Sequence, residues 1–175
     1  FCASYTSNNS KSTITNLKWI YNKKYLSLIT LLGLSSFFLL LDLGKNSLID
    51  WDEAIYAKVS KNMFLSRDYL TLKWENVWFE KPPFYFWISS FFIKIFGITE
   101  FAVRLPSAIF ALLTILVSYL FSIKILKTRI AGFIAGLILL TSAKYFYYAR
   151  LGMLDVTISF FIFSTVIFYY IYTEN

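Results

Sequence analysis

Long apolar runs alternate with shorter polar segments along most of the chain. Four of these runs are long enough to cross a bilayer, because about 20 helical residues at about 1.5 Å each span a hydrocarbon core of about 30 Å. They cover approximately residues 25–43, 105–126, 130–148 and 156–172. The pattern therefore predicts an all-α, multi-pass integral membrane protein.

The polar residues before the first run predict a different kind of segment. Residues 1–24 contain many Ser, Thr, Asn and Lys residues, so we expect a polar cytoplasmic leader that is partly disordered. A cleaved signal peptide is the alternative for the first run, but no A-x-A-like cleavage site follows it. Because the chain begins at Phe1 and stops directly after the fourth run, we expect it to be incomplete.

The charges beside the runs predict their orientation. Basic residues cluster before the first run and between the second and third, and such clusters favour the cytoplasmic side. These residues are Lys18, Lys23, Lys24, Lys124, Lys127 and Arg129. The loop 44–103 is then external, as is the link between the third and fourth runs. Asp52 and Asp155 are therefore predicted to lie on the same, non-cytoplasmic side.

The external loop begins with a helical pattern. Asp50-x-x-Glu53 resembles a capping box, which marks the start of a helix. Apolar residues follow at helical spacing, namely Ala54, Ile55, Ala57, Val59, Met63 and Phe64. This pattern predicts an amphipathic helix at the membrane surface.

A second helix is predicted in the same loop. Proline fits the first helical turn, so a helix is expected to start at Pro82-Pro83, to continue through the aromatic stretch 84–96 and to end at Gly97. This stretch is short for a full crossing. We expect an interfacial helix, with a re-entrant or spanning helix as the alternative.

Composition agrees with a membrane as the solvent. Of the 175 residues, 58% are hydrophobic and 21% are aromatic. The net charge of +7 comes from basic residues scattered between apolar runs, a distribution that argues against nucleic-acid binding. Cys2 is the single cysteine, which excludes an internal disulfide and a cysteine metal cluster in this sequence. The sequence contains no histidine, so acid-base chemistry here must use carboxylates, lysines or tyrosines.

Charged residues form three clusters on the predicted outer side: Asp52-Glu53-x-x-Tyr56, Glu80-Lys81-Pro82 and Arg150-x-x-x-x-Asp155. Asp52 falls in a first helical turn, where the helix dipole favours an ionised carboxylate, and Tyr56 shares its face. Lys81 precedes a proline and is presented from a loop. Plain alternatives are helix caps for the aspartates and lipid anchors for Lys81 and Arg150. Together, the clusters predict a site that binds phosphate and activates a nucleophile.

Longer blocks of the sequence closely resemble the aminoarabinose transferase and protein O-mannosyltransferase group of glycosyltransferases. The blocks agree in order and spacing, and the resemblance covers roughly residues 45–172. They are Trp51-Asp52-Glu53-Ala54-Ile55-Tyr56-Ala57, Phe79-Glu80-Lys81-Pro82-Pro83-Phe84-Tyr85, Phe96-Gly97-Ile98-Thr99-Glu100-Phe101-Ala102-Val103-Arg104-Leu105-Pro106-Ser107 and Ala149-Arg150-Leu151-Gly152-Met153-Leu154-Asp155.

The resemblance implies a fold and a reaction. The fold would be a GT-C-like bundle of membrane helices with surface helices in its first external loop. The enzyme would transfer a sugar from a polyprenyl-phosphate donor to a lipid, glycan or protein acceptor by inverting displacement. This chain would be an N-terminal fragment of it and inactive alone, because such enzymes complete their site with later helices and an outer domain. The abundance of Lys, Asn, Ile, Phe and Tyr suggests an AT-rich genome, so we expect a bacterial inner membrane with the site on its outer face.

The resemblance also implies roles for individual residues. Asp52 and Asp155 would be the essential, catalytic aspartates, Lys81 would contact the donor phosphate, and Glu80 would hold a divalent metal ion. The other predicted substrate-binding residues are Tyr56, Arg150 and Glu53.

Two other functions fit the same charged residues. A transporter or flippase-like protein would bind a solute or a lipid headgroup without chemistry, and would place polar residues near the midplane of its spans. A non-enzymic scaffold would have carboxylates that point apart as isolated helix caps. Convergence of Asp52 and Asp155 on one outer cavity with Lys81 would favour the enzyme.

Overall fold

The structure, a computed structural model, describes residues 25–49, 51–78 and 80–174. The predicted leader, Asp50 of the predicted capping box and Phe79 lie outside these ranges. Within them the chain forms seven helices: α1 Tyr25–Leu40, α2 Asp52–Ser66, α3 Phe84–Phe96, α4 Glu100–Leu126, α5 Arg129–Thr141, α6 Ala143–Ala149 and α7 Asp155–Thr173. No strand occurs in these ranges, and the only β-bridge described joins Lys73 and Val77.

Helix α4 lies at the centre of the fold and packs against α2, α3, α5, α6 and α7. It starts at Glu100, five residues before the predicted span at 105, because the Thr99 hydroxyl accepts a hydrogen bond from the Ala102 N–H at 3.2 Å and caps the first turn. The helix continues through Pro106. Arg104 and Pro106, which make the sequence look like the edge of a span, thus lie inside the helix.

The third predicted span, 130–148, is not one continuous helix. Helices α5 and α6 meet at Ser142 with a bend of 71°. The backbone of Ser142 is extended (φ −64°, ψ 110°), and its N–H closes the end of α5 by bonding to the carbonyls of Ile138 and Leu139. The apolar pattern runs through Ser142 without a change, so hydropathy alone does not reveal this break.

Membrane-spanning candidates follow from length and composition. Helices α4 and α7 are each long and apolar enough to cross a bilayer, and α5 with α6 makes a third candidate if the bent pair is taken as one span. The described part of α1 and helix α3 are shorter apolar helices. These helices place the chain in an integral membrane protein.

Two glycines, Gly132 and Gly136, let α5 approach its neighbours closely. A Cβ at Gly136 would lie 2.5 Å from Leu31 of α1, and one at Gly132 would lie 2.8 Å from the Tyr119 carbonyl of α4. A hydrogen bond of 2.8 Å between the hydroxyls of Ser27 and Tyr119 also joins α1 to α4.

The two helices of the loop 44–103 pack on the N-terminal half of α4. Helix α3 has the predicted bounds, and Gly97 after it has a φ of +78°. Helix α2 differs from prediction in its buried face, since Ala54 and Ile55 are only half-buried. Its buried residues are Glu53, Tyr56, Ala57, Val59, Ser60 and Met63. The buried face of α2 therefore includes Glu53 and Tyr56, which the predicted apolar face did not contain.

Candidate active site

A buried ion pair lies next to the predicted site residue Asp52. Glu53 of α2 and Arg104 of α4 are 1% and 4% exposed. The Arg104 guanidinium donates from Nε to Oε1 of Glu53 at 2.8 Å and from Nη2 to Oε2 at 3.0 Å. This two-bond geometry is the strong form of an arginine–carboxylate contact. It fixes the start of α2 against α4.

The same pair gathers two further segments. Arg104 also donates to the carbonyls of Leu43, Asn46 and Ser47, at 3.0, 2.8 and 2.9 Å, in the link after α1. Glu53 accepts from two backbone N–H groups, of Ile49 and Gly152, each at 2.7 Å. We call this set the Glu53–Arg104 anchor. It joins α2, α4, the link after α1 and the link between α6 and α7.

The anchor corrects the prediction that Glu53 binds substrate. Burial opposes ionisation of Glu53, but the hydrogen bonds from Arg104, Ile49 and Gly152 outweigh it and hold the pKa of Glu53 below its ordinary value. Both carboxylate oxygens already have donors. Glu53 is therefore a positioning residue, and it is held one residue from Asp52.

Three carboxylates converge on the Tyr56 side chain. Tyr56 is 4% exposed, and burial together with the charges of Asp52, Asp155 and Glu80 raises its pKa to about 12. Each of these carboxylates is exposed, and in the described part of the chain none of them makes a hydrogen bond or an ion pair. We call them the carboxylate rim. The predicted residues Asp52, Tyr56, Glu80 and Asp155 thus lie together.

The two aspartates of the rim sit at helix starts. Asp52 is the first residue of α2, in the first turn as predicted. Asp155, predicted as an N-cap, is instead the first residue of α7, and Leu154 occupies the cap position. The residue before Asp52, Trp51, has a φ of +78°, a left-handed conformation that is costly for a tryptophan.

An aromatic cluster surrounds Tyr56 and excludes water from its ring. The centroids of Phe86, Trp78 and Tyr85 lie 5.6, 6.1 and 6.3 Å from that of Tyr56. The Tyr85 hydroxyl donates to the Val103 carbonyl at 3.2 Å, so the cluster is tied to α4. These contacts orient the Tyr56 hydroxyl relative to the carboxylate rim.

An apolar groove of about 400 Å³ opens beside the rim. It lies between the start of α3 and the N-terminal part of α7, and is lined by Pro82, Phe84, Tyr85, Leu154, Thr157, Ile158, Phe161 and Ile162. Lys81 directly precedes the first of these residues and Asp155 directly follows Leu154. Lys81 is exposed, and it makes no ion pair with any described residue. Charged residues therefore adjoin Pro82 and Leu154 in the lining, a part that we call the charged end of the groove, and the lining side chains are mostly apolar.

Arg150 is not part of this arrangement. Its guanidinium donates to the carbonyl of Phe38 and, at 2.6 Å, to that of Leu41, and it stacks on the Phe146 ring at 5.5 Å. These contacts attach α6 to the carboxyl end of α1, where a cation also suits the helix dipole. Arg150 thus has a structural role, and its substrate-binding role stays a prediction.

The described residues do not supply a complete metal site. Among them no three Asp, Glu, His or Cys side chains are grouped so that they could hold one ion. Glu80 alone does not fit a metal, and a metal at this position would need ligands from outside the described ranges. No step of the proposed reaction is assigned to a metal.

Sequence reasoning did not assign a role to Arg104 or to Ser107. Ser107 accepts from the Met153 N–H at 3.3 Å and donates to the Met153 carbonyl at 2.7 Å, and so holds the link that leads to Asp155. A signal for Arg104 did exist: an arginine at the start of a strongly apolar helix needs a partner, and an acidic residue on the same side is the natural one.

Comparisons with known proteins show which family the chain is similar to. A family model described as dolichyl-phosphate-mannose-protein mannosyltransferase matches residues 80–175. The undecaprenyl phosphate-alpha-4-amino-4-deoxy-L-arabinose arabinosyl transferase of Wigglesworthia glossinidia brevipalpis is 32% identical over 135 residues, which are 77% of this chain and 24% of that protein. The enzyme of the same name from Aeromonas hydrophila is 30% identical over 136 residues, 77% of this chain and 25% of that protein.

A solved structure has the same fold. The crystal structure of ArnT from Cupriavidus metallidurans bound to undecaprenyl phosphate has a TM-score of 0.70 and 30% sequence identity, over 76% of this chain and 25% of that one. The predicted all-α GT-C-like fold is thereby confirmed, and so is the resemblance to this group of glycosyltransferases. The chain spans about a quarter of the length of the relatives that it matches. Because the family model covers more than half of the sequence, the chain belongs to the dolichyl-phosphate-mannose-protein mannosyltransferase family.

Proposed function

We propose that this chain forms the donor-binding part of a membrane glycosyltransferase. The enzyme transfers a sugar from a polyprenyl-phosphate donor to a lipid, glycan or protein acceptor, on the non-cytoplasmic face of a bacterial inner membrane. The observation that carries the proposal is the convergence of Asp52, Glu80 and Asp155 on Tyr56 at the charged end of an apolar groove. A donor with an apolar tail, an anionic phosphate and a sugar head matches the order of the apolar groove, the charged residues and the carboxylate rim.

Each part of the donor has a counterpart in the chain. The lipid tail lies in the groove between α3 and α7, and the phosphate meets Lys81, whose ammonium group offsets its charge. The sugar then lies beside the carboxylate rim. The names of the relatives, which refer to undecaprenyl phosphate sugars, support a donor of this chemical class.

The reaction is a single displacement at the sugar. An acceptor hydroxyl, amine or phosphate oxygen forms a bond to C1, while the bond from C1 to the phosphate oxygen breaks and its electron pair leaves with the lipid phosphate. Asp52 orients the acceptor and takes its proton, or stabilises positive charge on the sugar. Lys81 balances the charge that develops on the leaving phosphate. The Tyr56 hydroxyl, with its raised pKa, stays protonated at neutral pH and acts as a hydrogen-bond donor.

The rim also bears on the transporter alternative. A transporter would gather polar residues near the middle of its spans. Here Asp52 and Asp155 begin their helices, and Glu80 and Lys81 lie in the loop before α3. Charge at helix ends beside an apolar groove supports chemistry at the lipid boundary rather than passage across it.

The test measures sugar transfer by the complete product of the gene that encodes this chain, in membranes, from a panel of polyprenyl-phosphate donors. Asp52→Asn and Lys81→Ala are each expected to lower the transfer rate by about 100-fold or more, since both remove charge that stabilises the transition state. Lys61→Ala is the matched control, because Lys61 is exposed on the opposite face of α2 and lines a different cavity.

Either of two results would overturn the proposal. One is that the wild type transfers sugar from none of the donors. The other is that both site variants, inserted at wild-type levels, keep the activity of Lys61→Ala.

A further inference from the structure

The apolar groove contains one buried hydroxyl without a partner. Thr157 of α7 lines the groove and is only 2% exposed. Its Oγ1 makes no hydrogen bond to any residue that the structure describes. A buried hydroxyl in this condition is destabilising, because it has given up its bonds to water.

Other threonines of the helices do not share this condition. Thr114, Thr141 and Thr165 each donate to the carbonyl four residues earlier, at 2.8 Å. This is the usual way in which a helical threonine satisfies its hydroxyl. Thr157 is thus an exception within the same fold.

The exception has a visible cause. The carbonyl four residues before Thr157 belongs to Met153, and it accepts a hydrogen bond from the Ser107 hydroxyl at 2.7 Å. The Ser107 hydroxyl thus bonds to the carbonyl that a helical threonine at this position would ordinarily use, and the hydroxyl of Thr157 remains available to the groove.

The position of Thr157 decides what kind of group it meets. It lies on the face of α7 that lines the groove, one helical turn after Leu154 and close to the start of the helix. The other lining side chains named above are apolar apart from the Tyr85 hydroxyl, which donates to Val103. A hydrogen-bond acceptor for Thr157 must therefore enter with the occupant. In a lipid-linked sugar, the polar group that directly adjoins the apolar tail is the phosphate.

We propose that the Thr157 hydroxyl donates a hydrogen bond to the phosphate of the polyprenyl-phosphate donor and of the lipid phosphate product. The inference rests on the proposed function and adds a specificity residue to it. Lys81 supplies charge from the exposed side, and Thr157 supplies a directed bond from the buried side. The pair distinguishes a lipid phosphate from the corresponding lipid alcohol.

The experiment measures binding of undecaprenyl phosphate and of undecaprenol to the complete gene product in nanodiscs. Thr157→Val keeps the shape of the side chain and removes the hydroxyl, and is expected to weaken binding of the phosphate about tenfold (about 1.4 kcal/mol) without changing binding of the alcohol. Thr157→Ser is expected to retain most of the affinity. Ser164→Ala is the control, because Ser164 is a buried hydroxyl on α7 that also has no described partner but does not line the groove.

The outcomes separate this inference from the proposed function. Equal loss of affinity for both lipids in Thr157→Val, or no loss for either, overturns the role of Thr157 even if the wild type transfers sugar. A wild type that binds phosphate and alcohol equally overturns it as well. A wild type that binds the phosphate through Thr157 and transfers no sugar overturns the proposed function alone.

Discussion

Asp52 and Glu53 are neighbours in sequence, but they belong to two regions with opposite physical character. In the Glu53–Arg104 anchor, the carboxylate is buried and accepts four hydrogen bonds. In the carboxylate rim, Asp52, Glu80 and Asp155 are exposed and make no hydrogen bond or ion pair with the described residues. The same type of side chain serves structure in one region and is available for a ligand in the other.

The difference teaches how the fold builds its site. A buried charge needs all of its partners, so the anchor fixes the four segments that supply them. The rim then needs no internal partners, because Asp52 adjoins Glu53 and Asp155 follows the link that Gly152 joins to the anchor. The rim carboxylates are thus held by backbone, and their oxygens bond to none of the residues in the described ranges. Loss of the anchor should therefore affect folding, and loss of a rim charge should affect chemistry.

The largest expected effect follows from breaking the anchor. Arg104→Met leaves the Glu53 carboxylate buried without its cation, and is expected to lower the free energy of unfolding by about 3–5 kcal/mol. Thermal unfolding in detergent measures the effect. Arg67→Met, at an exposed position just after α2, is the control and should change stability by less than about 0.5 kcal/mol. Equal stability of the two variants would show that the anchor is dispensable.

Crowding the anchor gives the next largest effect. A Cβ at Gly152 would lie 2.6 Å from Cγ1 of Val103 and 3.4 Å from Oε1 of Glu53. Gly152→Ala must therefore shift the link before α7, and is expected to cost about 1–3 kcal/mol of stability. Gly33→Ala is the matched control, since a Cβ there meets nothing within 4 Å. If both substitutions leave the melting temperature unchanged, the link at Gly152 is not tightly held by the anchor.

A smaller effect is expected from titration of Tyr56 beside the rim. Because its folded-state pKa is raised to about 12, the stability that Tyr56 contributes is complete below about pH 10 and is lost as the pH rises toward 12. Tyr56→Phe should remove this alkaline dependence. Asp52→Asn should lower the pKa of Tyr56, because it removes one neighbouring negative charge. The tyrosinate absorbance of Tyr56 is obtained as the difference between titrations with and without Tyr56→Phe, in the wild-type and in the Asp52→Asn background. If the pKa of Tyr56 is the same in both backgrounds, the Asp52 charge lies too far from Tyr56 to affect it.

The smallest effect is local and concerns the loop that carries Lys81. The Thr71 N–H and the Lys73 ammonium hold the pKa of Asp68 at about 2. This pKa is lowered, so the contribution to loop stability is present above about pH 4 and is lost as the pH falls toward 2. Asp68→Asn should give faster amide exchange at Thr71 near neutral pH. Asp42→Asn, in an exposed pair with Lys45 outside this loop, should leave that exchange unchanged.

Local signals predicted much of the helical layout. The prolines before α3 and Gly97 after it act through their own backbone preferences, and the predicted bounds of α3 agree with the structure. The start of α4 was harder to predict, because Arg104 resembles the edge of a span until its distant partner is known. The bend at Ser142 has no hydropathy signal at all.

The candidate site was predictable to the extent that it follows from topology. Counting apolar runs put Asp52 and Asp155 on one side, and in the structure both lie near Tyr56. The division of labour between Asp52 and Glu53 could not be read from residue type, because it depends on which face of α2 meets Arg104. The role of Arg150 likewise could not be read from residue type, because its carbonyl partner Leu41 is far away in sequence and is brought to it only by the tertiary fold.

The bend at Ser142 has a consequence for depth in the bilayer. A straight helix with the residues of α5 and α6 would reach about 30 Å, whereas a 71° bend reduces the reach along α5 to about 23 Å. With α5 upright, the start of α7 then lies several ångströms below the hydrocarbon edge instead of level with it. Under the proposed function, a lipid-linked sugar would meet Asp155 by sinking its phosphate slightly or by thinning the bilayer locally. The bend would then lower the site toward the lipid, so that the lipid need not be lifted out to the site.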